Sequence, residues 1–387
     1  MIYPKSPIQI PDKYNPCGTR AAGFGPRGLK PAAQRGPCQV FVIVCLVALM
    51  PVISARADQI VTNKSNYPGA KIVGLHDGRL LFRGADGQIQ KAWLDEVELM
   101  IVDRGGIFDD FNQAERFFAQ NEHERAILRY RRTFRLSEDF WRDLIAARLL
   151  LACDAAGQLD NAVLNFIRVL NGQFAGPPAA ARLIPRLIPD KRNSRVQRAI
   201  EQLGTALSGD AGEAQRVLLS VLRYEILRRT GDKRATPAAT KIATLSFPTS
   251  ARSQRVYEIQ LHALRKVLED HVQPTELDGL DHAIRNCPDG LLPDFLLLKG
   301  HALLRTASAR EDIIRASWPF LRVAIHFRDD PRAPEGLYGA ALALERLGRT
   351  DKAIELVDEC LAHKRLTDQT RSLAEEALAR FRSAKTP

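Results

Sequence analysis

Residues 341–360 read ALALERLGRTDKAIELVDEC. Ala341, Leu344, Gly348, Ala353, Val357 and Cys360 stand in it at offsets of 3, 7, 12, 16 and 19 from the first. That spacing describes an antiparallel helix pair. Small side chains at Ala341 and Ala353 let two helices cross closely, Val357 fills the space beside them, and Gly348 supplies the left-handed residue that closes the first helix. The same offsets recur in Ala114, Phe117, Asn121, Ala126, Tyr130 and Thr133, and again in Leu150, Cys153, Gly157, Ala162, Phe166 and Val169. Ala126 and Ala162 are 36 residues apart, near a helix-pair period of roughly 34 residues.

The pattern resembles the tetratricopeptide repeat. It departs from that family in lacking the large aromatic near the start of the first helix and the proline that usually ends the unit. The stretch Phe320–Cys360 is similar to exported bacterial tetratricopeptide proteins of the cell envelope. The resemblance implies a mostly α protein, a TPR-like α-solenoid of antiparallel helix pairs whose first helices line a concave face for a protein or peptide. Carried over by position, that face comprises Phe111, Glu115 and Phe118, then Ala147, Leu151 and Asp154, and in the last pair Tyr338, Leu342, Glu345 and Arg346.

Working outward, the helical region runs over 107–387, with its clearest repeats at 107–172 and 334–364. Between Pro177 and Pro293 the repeats do not align. Apolar periodicity there still predicts helices near Arg195–Leu207, Ala211–Arg229, Ser250–Asp270 and Glu276–Asn286, with breaks at Pro177-Pro178, Pro185, Pro189, Pro237 and Pro248. Leu292–Arg305 and Ile313–Phe327 form a further pair, with Gly300 at the close approach and Phe320 as its filler. A capping helix over 367–383 is expected to bury Leu373, Ala377 and Phe381.

Residues 58–106 have a different period. Ile60–Val61, Lys71–Leu75, Arg79–Phe82, Ile89–Trp93 and Val97–Val102 are short β-favouring runs, separated by Pro68-Gly69, Asp77-Gly78 and Asp86-Gly87. Asp-Gly between apolar runs supplies the positive φ angles of a tight hairpin, so the second and third strands should pair. Five such strands suit a small five-stranded barrel-like module, and Gln88–Asp103 resembles the last two strands of an SH3-like or Sm-like fold. Docking onto the helical region is its expected role. Gly105-Gly106 ends it.

The first 57 residues hold seven basic side chains and one acidic, which is six of the net eleven positive charges of the 387-residue chain. The remainder is only +5, too little to support a nucleic-acid partner. Val40–Leu49 is an apolar run, too short for the roughly 20 residues of a spanning helix, and Ala55-Arg56-Ala57 follows it. These features predict a leader and signal peptide over 1–57 with cleavage after Ala57, hence a periplasmic or cell-envelope protein. An uncleaved N-terminal membrane anchor is the alternative, and it would be the only membrane contact. Cys45 lies inside the apolar run, which disfavours a lipoprotein.

The composition, 45% apolar and 26% charged, is that of a folded chain and excludes wholesale disorder. Cys153, Cys287 and Cys360 are too widely spaced for a disulfide framework or a C-x-x-C metal pair. None of the eight histidines forms an H-E-x-x-H or H-x-x-x-H pair, and no G-x-S-x-G elbow or Walker loop occurs. Arg125, Arg129, Arg131, Arg132 and Arg135 alternate with acids and read as a solvated helix face. The expectation is an exported, non-enzymatic adaptor that binds a protein or peptide, with no catalytic residue, cofactor or metal. Two other readings stand beside it: a cell-wall polymer binder acting through the β module, and an enzyme built on residues 177–290.

Overall fold

The computed structural model describes residues 58–136, 139–172, 176–270 and 274–385. The predicted leader and signal segment lie outside them. Within the described residues the protein is mostly helical, with one small antiparallel sheet at its start. No helix among these residues is long and apolar enough to cross a membrane.

The sheet comprises β1 (Asp58–Thr62), β2 (Asn66–His76), β3 (Arg79–Arg83), β4 (Ile89–Trp93) and β5 (Val97–Ile101), in the order β4-β3-β2-β1-β5. The β2–β3 hairpin closes as its residues dictate. Asp77 and Gly78 adopt φ of 49° and 71°, and His76 faces Arg79 across the turn. Alternation then sorts the side chains of β3: Leu80 and Phe82 go inward, Arg79 and Arg83 outward. β5 returns to pair with β1, setting Ile60 opposite Met100, both fully buried.

The helices are α1 (Ile107–Ala119), α2 (His123–Leu136), α3 (Asp139–Ala155), α4 (Leu159–Asn171), α5 (Pro177–Arg182), α6 (Ser194–Ser208), α7 (Glu213–Arg229), α8 (Ala235–Ala243), α9 (Gln254–Asp270), α10 (Pro274–Asn286), α11 (Leu292–Thr306), α12 (Arg310–His326), α13 (Ala333–Arg346), α14 (Thr350–Leu361) and α15 (Asp368–Lys385). The pairs α1/α2, α3/α4 and α13/α14 are those the repeated spacing predicts. Asn121, Gly157 and Gly348 close the first helix of each with φ of 60°, 66° and 72°. Ala114 and Ala126, Leu150 and Ala162, and Ala341 and Ala353 are all fully buried, as are the fillers Tyr130, Phe166 and Val357. From α7 onward, helices also touch the next but one: α7 with α9, α9 with α11, α11 with α13 and α13 with α15.

The structure adds two short helices, at places where proline predicted breaks. Pro177 and Pro178 occupy the first turn of α5, and Pro237 the first turn of α8. A first-turn residue has no intrahelical partner for its N–H, so proline starts a helix there rather than ending one. The buried face of α15 is also rotated from expectation. Ala374, Ala377 and Phe381 form its buried face, while Leu373 is exposed.

The sheet is joined to the helices by a fully buried ion pair. Glu115 on α1 and Arg148 on α3 are both 0% exposed. Arg148 donates from Nε to Glu115 Oε1 at 2.7 Å, from Nη2 to Oε2 at 2.8 Å, and from Nη1 to the Val97 carbonyl at 2.7 Å. Glu115 also accepts the Met100 N–H of β5 at 2.9 Å and the Tyr130 hydroxyl of α2 at 2.5 Å. Burial works against the Arg148 cation, but Glu115 more than offsets it and holds the guanidinium above its ordinary value. Burial, reinforced by Glu115, pushes the Tyr130 hydroxyl well up. Asn112 on α1 completes the joint by pairing with both the N–H and the carbonyl of Val102, at 2.7 and 2.8 Å. One apolar core runs from the sheet to α11, and two smaller ones follow at α11–α13 and α13–α15.

Candidate functional site

The ten residues carried over as a ligand-binding face are spread over unlike environments. Phe111, Glu115 and Ala147 are wholly buried and present no surface to a partner. Phe111 packs edge-on against Tyr130 and Trp141, and Glu115 belongs to the buried ion pair. Phe118 carries the Arg148 guanidinium 4.7 Å from its ring centroid, and Leu151 is half-buried against the same core. Asp154 anchors the chain after α5 by accepting the N–H groups of Arg186 and Leu187 at 2.9 Å.

In the last pair, Leu342, Glu345 and Arg346 do meet, in a hollow of about 510 Å³ that His301, Arg305 and Arg380 also line. Two of these arginines are used internally. Arg346 donates to the carbonyls of Leu304 and Ala307 at the end of α11, and Arg305 to that of Leu268 at the end of α9. Each cation thereby satisfies the exposed carbonyls, and the negative dipole end, of a neighbouring helix. Tyr338 is half-buried in the α13–α15 core, and that burial pushes its hydroxyl up.

A larger apolar groove, of about 660 Å³, lies where α10, α11 and α12 meet. α12 contributes Arg315, Trp318, Pro319 and Arg322 to it. Ile313, Ala316, Phe320 and Val323 face inward, where the Phe320 ring fills the space left by Gly300 and Gly339. A Cβ on Gly300 would come within 2.6 Å of that ring, so the close approach expected of Gly300 and Phe320 is realised. Ile314, Trp318, Leu321 and Ile325 recur at steps of four, three and four residues along the helix; of these Trp318 lines the groove, whereas Ile325 lies in a separate hollow with His326 and Arg365. Trp318 and Ile325 are each 65% exposed. The floor is continued by Leu277 and Ile284 of α10 and by Leu296 and Leu303 of α11.

The rim of the groove is basic. Arg285, Arg315 and Arg322 line it, and none of them has an ion-pair partner among the described residues. Lys299, the fourth cation, is engaged by Asp281. The predicted solvated face on α2 behaves differently. Its Arg129 and Arg132 share Asp110 at 2.6 and 3.2 Å, and Arg125 pairs with Glu122 at 2.5 Å.

The groove was missed in the sequence, although a signal was present. Trp318 lies inside the predicted helix Ile313–Phe327, away from Ile313, Ala316, Phe320 and Val323, which packing buries. The cysteines are not candidates for reactive chemistry. Burial pushes the Cys153 thiol up to about 12 and those of Cys287 and Cys360 up to about 11. Among the described residues no three His, Cys, Asp or Glu side chains are grouped so as to hold a metal ion. No protein-family model matches the chain, and no curated protein is similar to it.

Proposed function

We propose that the protein is an exported adaptor without catalytic activity, a small barrel-like β module followed by a tetratricopeptide-type solenoid, and that it holds a segment of a partner protein in the α10–α12 groove. The observation that carries this reading is the exposed Trp318 beside the apolar floor of that groove and three arginines without an ion-pair partner among the described residues. A contiguous apolar strip with a polar rim is the anatomy of a docking site, and an exposed tryptophan at its centre is the residue type most enriched among binding hot spots. The rim selects the occupant by charge. An amphipathic segment with its apolar side in the groove and acidic residues beside it fits both features. The solenoid reading draws support from the three matching helix pairs and from the next-but-one contacts between α7 and α15. Export rests on the 1–57 segment.

The test places a photo-crosslinking side chain at Trp318 in the full chain, in intact cells. The crosslinked peptide, identified by mass spectrometry, is then synthesised and titrated against the purified protein. An acidic amphipathic peptide is expected, and Trp318→Ala should weaken its binding by a factor of roughly 30 or more, a hot-spot loss of about 2 kcal/mol. The Trp318 side chain is mostly exposed, so the melting temperature should hold. If that variant binds like the parent while Tyr338→Ala with Glu345→Ala abolishes binding, the partner sits on the α13 side instead.

A further inference from the structure

A second cleft, of about 620 Å³, opens where the end of β4 meets α5 and the first turn of α9. Its chemistry is opposite to that of the apolar groove. Arg182, Arg186, Arg252 and Arg255 all line it, against two carboxylates, Asp95 and Glu258. Asp95 is already used. It takes a two-pronged bond from Arg182, whose Nε and Nη2 donate at 3.1 and 3.0 Å, while that guanidinium also lies 4.6 Å from the Trp93 ring centroid. Glu258 accepts from Gln254 at 2.9 Å.

That leaves three guanidinium groups without a carboxylate partner among the described residues. Arg252 donates to the side-chain oxygen of Asn286 at 2.8 Å. Arg186 is engaged through its backbone, its N–H donating to Asp154 and its carbonyl accepting from the Ile188 N–H. Arg255 gives Nη2 to the Pro185 carbonyl at 3.1 Å, while its Nε is buried without a hydrogen-bond partner. A buried donor left unmade is costly, and several like charges turned into one hollow add to that cost. Burial, then the neighbouring Arg186, holds the Arg255 guanidinium below its ordinary value. Such an arrangement is stabilised when an anion enters it.

We propose that this cleft binds the phosphoryl group of a small, polar phosphate ester, with Arg186, Arg252 and Arg255 as its ligands. Arginine matches the tetrahedral oxyanion with paired N–H donors and keeps its charge at any physiological pH. The first turn of the 17-residue helix α9 lies at the same wall, where its dipole favours negative charge. The hollow is much larger than an anion alone needs; the Ser253 hydroxyl accepts the Val256 N–H but keeps its own proton to donate, and the Gln254 amide oxygen remains to accept, so both serve a sugar-sized body. This site is separate from the α10–α12 groove and does not depend on the adaptor reading.

The experiment is isothermal titration of the full chain with glucose 1-phosphate and, in a parallel arm, inorganic phosphate. Saturable one-site binding is expected. Arg186→Gln and Arg255→Gln should each weaken it about tenfold, whereas Arg315→Gln in the apolar groove should leave it unchanged. Tighter binding of the ester than of the free ion assigns the organic body to the site, and equal binding assigns the free anion; either outcome supports phosphoryl recognition. Arg186 is exposed, so its variant remains informative even if Arg255→Gln fails to fold. Absence of saturable binding in both arms overturns the proposal. So does parental affinity in Arg186→Gln, or an equal loss in Arg315→Gln, which would mark a diffuse charge effect.

Discussion

The joint between the sheet and α1–α3 is held by a buried charge pair, whereas the stack from α11 to α14 is closed by missing side chains. At the first, Glu115 and Arg148 together engage Met100, Tyr130 and Val97, so three helices and a strand meet on one hydrogen-bonded pair. At the second, Gly300 and Gly339 make room for one ring, Phe320, and Ala341 crosses Ala353. The two joints fail in different ways. A buried ion pair is worth little when compared with an apolar replacement, but removing one partner strands the other charge. A small-residue crossing tolerates deletion and resists addition. Both joints therefore have a characteristic lesion, and the lesions are ranked in size.

The largest effect is expected at the polar joint. Glu115→Ala leaves a 0%-exposed guanidinium without its counter-charge and strips an acceptor from Met100 and Tyr130. A loss of about 3–5 kcal/mol should follow, read as a drop in the urea midpoint. Glu115→Leu combined with Arg148→Met should cost less than the two single changes added together. It will not be neutral, because the Met100 N–H and the Val97 carbonyl still lose their partners. A fragment ending at residue 106 lacks both charges and should not fold alone. Parental stability of Glu115→Ala would remove the distinction between the two joints.

At the glycine-closed joint the expected effect is smaller. Gly339→Ala and Gly300→Ala each drive a methyl group into the Phe320 ring, and overpacking of this kind costs about 1–3 kcal/mol. Phe320→Leu, introduced into the Gly339→Ala background, should recover part of the loss by vacating the space. If Gly339→Ala unfolds at the parental midpoint, the ring has room to move and the crossing is looser than its geometry indicates.

The same contrast explains what could be read in the sequence. Asp77-Gly78 and the glycines at the helix turns act through their own backbone angles, so their structure follows from a few neighbouring residues. The helix pairs were legible because small residues must recur at fixed offsets wherever helices cross. Glu115 and Arg148 are 33 residues apart, and no local pattern marks them as partners; position in a repeat made Glu115 look like a surface residue. The short helices α5 and α8 were hidden because proline ends a helix in most contexts and begins one in the first turn. Of the candidate groove, Trp318 was available as a large apolar residue off the packing face of α12, while the α10 and α11 contributions depend on packing between different elements. The arginine cleft joins β4, α5 and α9, which are distant in sequence, and its members look like ordinary solvated cations one by one.

The smallest expected effect separates the charged joints from the glycine-closed stack by pH. Glu225, near the end of α7, is a mostly buried carboxylate held by Arg228 and Arg229, whose Nε groups donate at 2.9 and 2.8 Å. Burial pushes its carboxyl up, but the hydrogen bonds from the two arginines outweigh burial and hold it below the ordinary carboxylate range. A carboxyl with a lowered folded-state pKa contributes stability above its unfolded value and loses it as pH falls through the folded one. Both arginines are about one-third exposed, so solvent screening keeps the contribution below about 1 kcal/mol. His262 on α9 interacts with the same cluster, and burial holds its imidazole below the ordinary value. Its charging also destabilises the fold on acidification, but that loss starts from about pH 6.5, before the carboxylate titrates. The useful quantity is therefore the difference between the parent and Glu225→Gln. Between about pH 5 and about pH 3 the parent's melting temperature should fall more steeply than the variant's. In hydrogen exchange over that range, the parent should lose more protection than the variant in α7, while α11–α14 should respond alike in both. Parallel pH profiles for the two proteins would mean that Glu225 holds α7 by packing rather than by charge.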